Sequence, residues 1–197
     1  MTNVPVPTPA GMDAPPLPAH LRIVPAVMRR LRLQWNRLRY PRAGFGAGCD
    51  IGPGLFLKMG LSGKVNFGEQ CVLDRFMTIE THGALTVGAR TIFGHHCTIG
   101  ALASVEIGAD CLIADLVDIR DNDHNFERLD IPTSQQGASV APVKIGRNVW
   151  LGAKVTVVKG VTIGDNAIVG ANAVVTKDIP ANAIAVGVPA KVVKYRK

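Results

Sequence analysis

The sequence repeats itself with a period of six, and a period that short leaves few folds open. Read back from the C-terminus, the hexads are VTKDIP at 175, VGANAV at 169, IGDNAI at 163, VVKGVT at 157, LGAKVT at 151 and IGRNVW at 145. Each begins with an aliphatic residue. The same phase returns upstream as IADLVD at 113, IGADCL at 107, IGALAS at 99, FGHHCT at 93, VGARTI at 87, FGEQCV at 67, IGPGLF at 51 and FGAGCD at 45. Between residues 79 and 107, two-residue insertions reset the register twice. In such a hexad the first side chain points inward, a glycine or other small residue follows at the turn, and a second small residue packs at the fifth position. Three hexads close one triangular coil, and a coil buries its interior only by stacking on the next. The chain therefore predicts an all-β stack of parallel strands, about six coils high.

The four cysteines obey the same rule. Cys49, Cys71, Cys97 and Cys111 each occupy a fifth position and read as small buried hydrophobes. No CxxC pair is present, and an inward thiol in apolar surroundings has a raised pKa and little nucleophilicity.

Three segments break the repeat. Between Arg120 and Val143 the polar stretch RDNDHNFERLDIPTSQQGASVAPV carries no hexad, and a long structureless excursion from a compact fold is usually functional. It forms a loop, 120–143, within a repeat domain covering 43–197. Residues 1–25 hold seven of the 13 prolines, which predicts a disordered or extended tail. In AVMRRLRLQWNRLRY, residues 26–40, the apolar Val27, Leu31, Trp35 and Leu38 share one helical face with arginines around them. The segment 26–42 is read as a basic amphipathic helix. It either covers the exposed edge of the first coil, since open strand edges need cover, or makes peripheral contact with an anionic membrane surface.

Charge and composition exclude other classes. At 197 residues and 47% hydrophobic content, one sizeable core is affordable. The net charge of +7 comes from Arg22, Arg29, Arg30, Arg32, Arg37, Arg39 and Arg42; removing these seven from 22 basic residues leaves 15, equal to the 15 acids. The remainder is neutral and offers no nucleic-acid groove. No apolar run reaches the roughly 18–20 residues of a spanning helix, and the proline-studded start lacks the apolar centre of a signal peptide, so the expected location is the cytoplasm.

From about residue 45 to 193 the hexads resemble the hexapeptide-repeat acyltransferases, particularly the branch of maltose and galactoside O-acetyltransferases and the acetyltransferases of polysaccharide biosynthesis. The most specific stretch is PVKIGRNVWLGAKVTVVKGVTIGDNAIVGANAVVTKDIPANAIAVGVPAKVV, Pro142 to Val193, with its VWLG and GVPAKV signatures in order. The resemblance implies a left-handed coil, since the general rule for parallel crossovers gives the opposite hand. It also implies a homotrimer with active sites between subunits, acetyl-CoA as co-substrate, and no metal or redox cofactor.

In that family a histidine on the loop before the PV-x-IG-x-x-VW run acts as general base, and His124 in IRDNDHNF stands at the matching place. An acceptor hydroxyl cannot attack a thioester efficiently unless a base takes its proton, and a positioned imidazole is suited to that task. Asp121 and Asp123 flank it and could orient the ring or hold the acceptor, although both are ordinary turn residues. Trp150, Gly152 and Ala153 resemble the donor site, where a backbone N–H meets the thioester oxygen and stabilises the developing oxyanion. Many relatives carry serine at the place of Ala153, so here the backbone must suffice. Ala171, Thr176, Lys177 and Lys191 match positions that contact coenzyme A, whose phosphates want cations and N–H donors.

The likeness weakens at the acceptor site. Gly94 and Leu102 stand where the maltose and galactoside enzymes carry Asn and Asp, which disfavours those free sugars. His95 and His96 occupy outward positions nearby. The leading reading is an O-acetyltransferase acting on a sugar hydroxyl of a glycan or glycan precursor. One alternative is an N-acetyltransferase acting on a sugar-nucleotide amine. From other classes come a zinc-dependent, carbonic-anhydrase-like β-helix using His82, His95, His96 and His124, and a non-catalytic scaffold.

Overall fold

A computed structural model describes residues 19–197, with side chains from residue 27 onward. It is a left-handed parallel β-helix preceded by one helix. Three faces run the length of the stack. The first holds Ala43–Phe45, Lys64–Phe67, Ala84–Val87, Ser104–Ile107, Val143–Ile145 and Thr162–Ile163. The second starts at Asp50–Ile51 and ends with Ala183–Val186, against which Lys191–Tyr195 folds back antiparallel. The third runs from Phe56–Met59 to Val174–Val175. The first and third faces have six strands each and the second has a seventh parallel strand. The stack thus exceeds the expected six coils by part of a seventh.

The inward column explains the aliphatic rule. Ile51, Leu73, Phe93, Ile113, Leu151 and Val169 stack in register on the second face, all essentially inaccessible to solvent. Burying each such side chain stabilises the fold by about 1.5–3 kcal/mol. The second hexad position is small because the coils touch there: a Cβ on Gly152 would lie 2.6 Å from the Ala171 amide nitrogen. The fourth position turns the corner in the left-handed backbone region, as at Asn148 (φ 53), Asn166 (φ 60) and Asn182 (φ 61), where asparagine is better tolerated than most residues. These asparagines also bond to one another, Asn148 Nδ2 to Asn166 Oδ1 at 2.8 Å and Asn166 Nδ2 to Asn182 Oδ1 at 3.0 Å. All four cysteines are buried and unpaired. Burial pushes the Cys97 thiol up to about 11 and raises Cys111 as well. Cys49 departs from the expected direction, lowered to about 7 by hydrogen bonding from the neighbouring Cys71 and by the charge of Arg37.

The helix spans Ala19–Arg39 and so begins earlier than the expected residue 26. Of the expected 1–25 tail, residues 1–18 lie outside the described residues. The helix sits on the first coil, but not by its apolar face. Strand amides of each coil donate to carbonyls of the next, as Gly46 N–H does to Phe67 O, so first-coil carbonyls lack a coil beyond them. Side chains of the helix and of the residue after it fill that role: Arg32 Nε donates to Ile51 O and Arg37 Nη2 to Phe45 O, both at 2.8 Å, and Tyr40 Oη to Leu55 O at 3.3 Å. Leu33 and Asn36 are buried beneath it.

The expected unstructured loop also has order. Asn122–His124 and Ala138–Val140 pair as an antiparallel hairpin, with a short 3-10 turn at Thr133–Gln135. The excursion leaves from the corner between the third and first faces, where the earlier coils also carry their extra residues. Its base is closed by Ala141 N–H on Asp121 O and Gly160 N–H on Ala141 O, each 2.9 Å.

Candidate active site

Two columns of side chains form at that corner because successive coils stack in register. Lys58, Glu80, Gly100 and Arg120 each follow an inward aliphatic residue and align across the third face. His82, Leu102 and Asn122 stand three residues after Ile79, Ile99 and Ile119. With His124, Ser134, Gly137 and Ala138 of the excursion, they line a cleft of about 380 Å³. Gly100 leaves the floor open: a Cβ there would meet Arg120 Nη1 at 3.3 Å and Asn122 Oδ1 at 3.6 Å. The Asn122 Oδ1 itself is buried without a hydrogen-bond partner, an acceptor that a donor entering the cleft could satisfy.

His124 stands exposed at the cleft. Strand alternation puts Asn122 and His124 on one side of the hairpin and Asp123 on the other. Asp123 accordingly meets Lys159, Oδ2 to Nζ at 3.4 Å. Asp121 is fully buried, and its carboxylate accepts the Leu102 amide at 2.8 Å and the Ala103 amide at 2.6 Å. Neither aspartate pairs with His124 among the described residues. Asp121 holds the corner of the preceding coil, and Asp123 braces the outer side of the hairpin. The geometry therefore assigns both a different task from the orienting role read from the sequence.

The remaining histidines scatter. His95 lies between two carboxylates, 3.2 Å from Asp74 Oδ2 and 3.4 Å from Asp115 Oδ1. His96 stacks on Phe76 with ring centroids 5.0 Å apart. Of the four weighed as zinc ligands only His82 and His124 share the cleft, and no group of three metal-ligating side chains is found among the described residues. Leu102 lines the cleft while Gly94 does not.

The donor-site residues lie elsewhere. Trp150 projects half-exposed from the second face, and Gly152, Ala153 and Ala171 form the corner between the second and third faces. The Gly152 N–H is occupied, donating to Val169 O at 2.8 Å. The next amide, Ala153, donates to no protein acceptor among the described residues. Thr176 and Lys177 follow the last third-face strand, and Lys191 begins the strand that folds back; all three are exposed. No residue beyond Ala138 lines the His124 cleft, so one protomer keeps the two candidate half-sites apart.

The sequence reading missed Lys58, Glu80, Arg120 and Asn122, and weighed His82 only as a zinc ligand. The signal was present: aligning LKMGLSGK, IETHGALT and IGALASVE, which exceed six residues, with IRDN stacks both columns directly.

Comparison with known proteins agrees with this architecture. A family model described as bacterial transferase hexapeptide (six repeats) matches residues 142–177. The putative lipopolysaccharide biosynthesis O-acetyl transferase WbbJ of Escherichia coli K12 is 36% identical over 67% of this chain and 72% of its own length. The probable acetyltransferase Rv3034c of Mycobacterium tuberculosis is 42% identical over 61% of this chain, which spans only 40% of that protein. Among solved structures, AntD, an N-acyltransferase from Bacillus cereus in complex with dTDP and 3-hydroxybutyryl-CoA, superposes with a TM-score of 0.68. At 19% identity, over 83% of this chain and 88% of AntD, that likeness concerns the fold. With a relative as similar as WbbJ matched over most of its length, and with the unbroken hexads that carry the match, the chain belongs to the hexapeptide-repeat acyltransferase family.

Proposed function

We propose that the protein is an acetyl-CoA-dependent O-acetyltransferase that acts on a sugar hydroxyl of a glycan or glycan precursor, with His124 as general base. The observation that carries this reading is the hairpin, which turns His124 and Asn122 toward one cleft lined by groups suited to polar hydroxyls. The relative WbbJ, named for lipopolysaccharide biosynthesis, supports a glycan acceptor. AntD, solved with an acyl-CoA, supports the donor.

In this mechanism the acceptor hydroxyl sits in the cleft and gives its proton to the imidazole as its oxygen attacks the thioester carbon. Asn122 Oδ1 accepts a bond from a neighbouring hydroxyl and fixes the sugar. The free Ala153 N–H meets the carbonyl oxygen as charge develops on it, a contribution of about 3–4 kcal/mol where such a donor is well placed. The thioester carbon–sulfur bond then breaks, and the imidazolium returns its proton to the departing CoA thiolate. Thr176, Lys177 and Lys191 hold the phosphates. Because the cleft and Ala153 lie at different corners, a complete site takes His124 from one protomer and the donor corner from a neighbour, as a cyclic trimer provides.

The test is release of free CoA from acetyl-CoA in the presence of a panel of sugars and sugar nucleotides, for wild type beside His124→Ala. Acceptor-dependent release that collapses in the variant supports the reading and names the acceptor class. Release that survives the substitution contradicts the role of His124, and release dependent on amino sugars alone favours N-acetylation.

A further inference from the structure

The N-terminal helix meets the first coil with the wrong side for an ordinary amphipathic cap. Its coil-facing side carries Leu33, Asn36 and the arginines whose charge is already used: Arg29 and Arg32 toward Asp50, Arg32 and Arg37 on backbone carbonyls. The apolar residues fall on the opposite side. Val27, Met28, Leu31, Trp35 and Leu38 are between 46% and 78% exposed and form one stripe at helical spacing. A stripe of this kind, left open on a helix pinned along its other side, is a surface made for a partner.

Charge selects the partner. At 100° per residue, Arg30 and Arg39 border the stripe on its two sides, and neither forms an ion pair among the described residues. There is no acidic residue anywhere from 19 to 42. Pairing this helix with the same helix of a second copy would bring arginine against arginine, so the chemistry disfavours a self-contact. An apolar stripe centred on a tryptophan, edged by arginines and free of acids, fits a lipid surface with anionic headgroups: the apolar side chains enter the acyl boundary while the guanidinium groups reach phosphates. Among the described residues no helix is both long and apolar enough to cross a membrane, which leaves this one lying in the interface.

We infer that the outer face of the Ala19–Arg39 helix docks the protein on an anionic lipid surface. The carbonyl bonds from Arg32, Arg37 and Tyr40 hold the helix flat against the coil end, so docking needs no refolding. An enzyme held there would meet acceptors assembled at that surface. The inference does not depend on the acyl-transfer reading, since the helix lines no part of the His124 cleft.

Flotation of the full chain with vesicles tests it. Wild type is expected to float with phosphatidylcholine vesicles containing phosphatidylglycerol and much less with phosphatidylcholine alone. The double substitution Trp35→Glu/Leu38→Glu should lower partitioning by about 10-fold or more by removing apolar burial. Arg30→Gln/Arg39→Gln should lower it by roughly 5-fold per arginine, and added salt should weaken it likewise. All these residues are exposed, so thermal unfolding should be unchanged in both variants. Wild type that ignores the anionic vesicles, or floats no better than Trp35→Glu/Leu38→Glu, overturns the inference. So does sedimentation equilibrium in which wild type ignores vesicles and assembles beyond the state of that variant, which would make a second copy the occupant.

Discussion

The coils from Val143 to Ile179 and the corner that carries the excursion from Arg120 to Val143 use the same backbone ladder for opposite ends. In the C-terminal coils every third-to-first-face corner is short, every inward position is apolar, and the hexads run without interruption. At the same corner of the earlier coils, two extra residues in the second and third coils project His82 and Leu102 outward, and the fourth coil swells into a hairpin. The repeat supplies rigidity, and the departures from it supply polar side chains at fixed spacing. A periodic scaffold thus marks its own site by the place where the period fails.

Substitutions can break that contrast. The largest effect is expected in the scaffold: Ile163→Asp places a carboxylate in a fully buried column, at a cost of about 4 kcal/mol or more, and circular dichroism should find it unfolded or its melting midpoint sharply lowered. His124→Ala should do the reverse, lowering kcat/KM by about 10²- to 10⁴-fold while the melting curve overlays wild type. If both properties fell together in His124→Ala, the separation of scaffold from site would be wrong.

Asp121→Asn tests the junction between the two regions. Its carboxylate caps two amides of the preceding coil, so the loss should be about 1–3 kcal/mol of stability, read by denaturant titration, with transfer impaired only as far as the hairpin loosens. Intact stability with abolished transfer would return Asp121 to a direct role. Smallest is Lys177→Ala, where removing one exposed cation should raise KM for acetyl-CoA about 5-fold and leave kcat unchanged.

Much of this was legible in the sequence, and the rest was hidden for identifiable reasons. The inward column follows from period alone, because no other arrangement buries an aliphatic residue at every sixth position. The family position singled out His124, which is one of the residues lining the cleft. The partners of Asp121 were not legible, since a turn aspartate two residues from a base looks the same whether it faces the ring or the coil behind it. The helix itself was legible, but not which of its sides would meet the coil, because a moment identifies an apolar face without saying what it touches. Here the coil end offers unpaired carbonyls, so arginines rather than leucines meet it.

Central to the proposed mechanism is a site completed between copies, with His124 from one protomer and the donor corner from the next. Co-expression of His124→Ala with Ala171→Trp tests this most directly, because Ala171 is exposed beside Gly152 and a bulky ring there should block the donor. Each variant alone should be inactive. Mixed assemblies should recover about a quarter of wild-type transfer, the fraction of sites that draw an intact half from each neighbour in a cyclic assembly. Mixed assemblies as inactive as the parents would contradict the account and place both halves of the site within one chain.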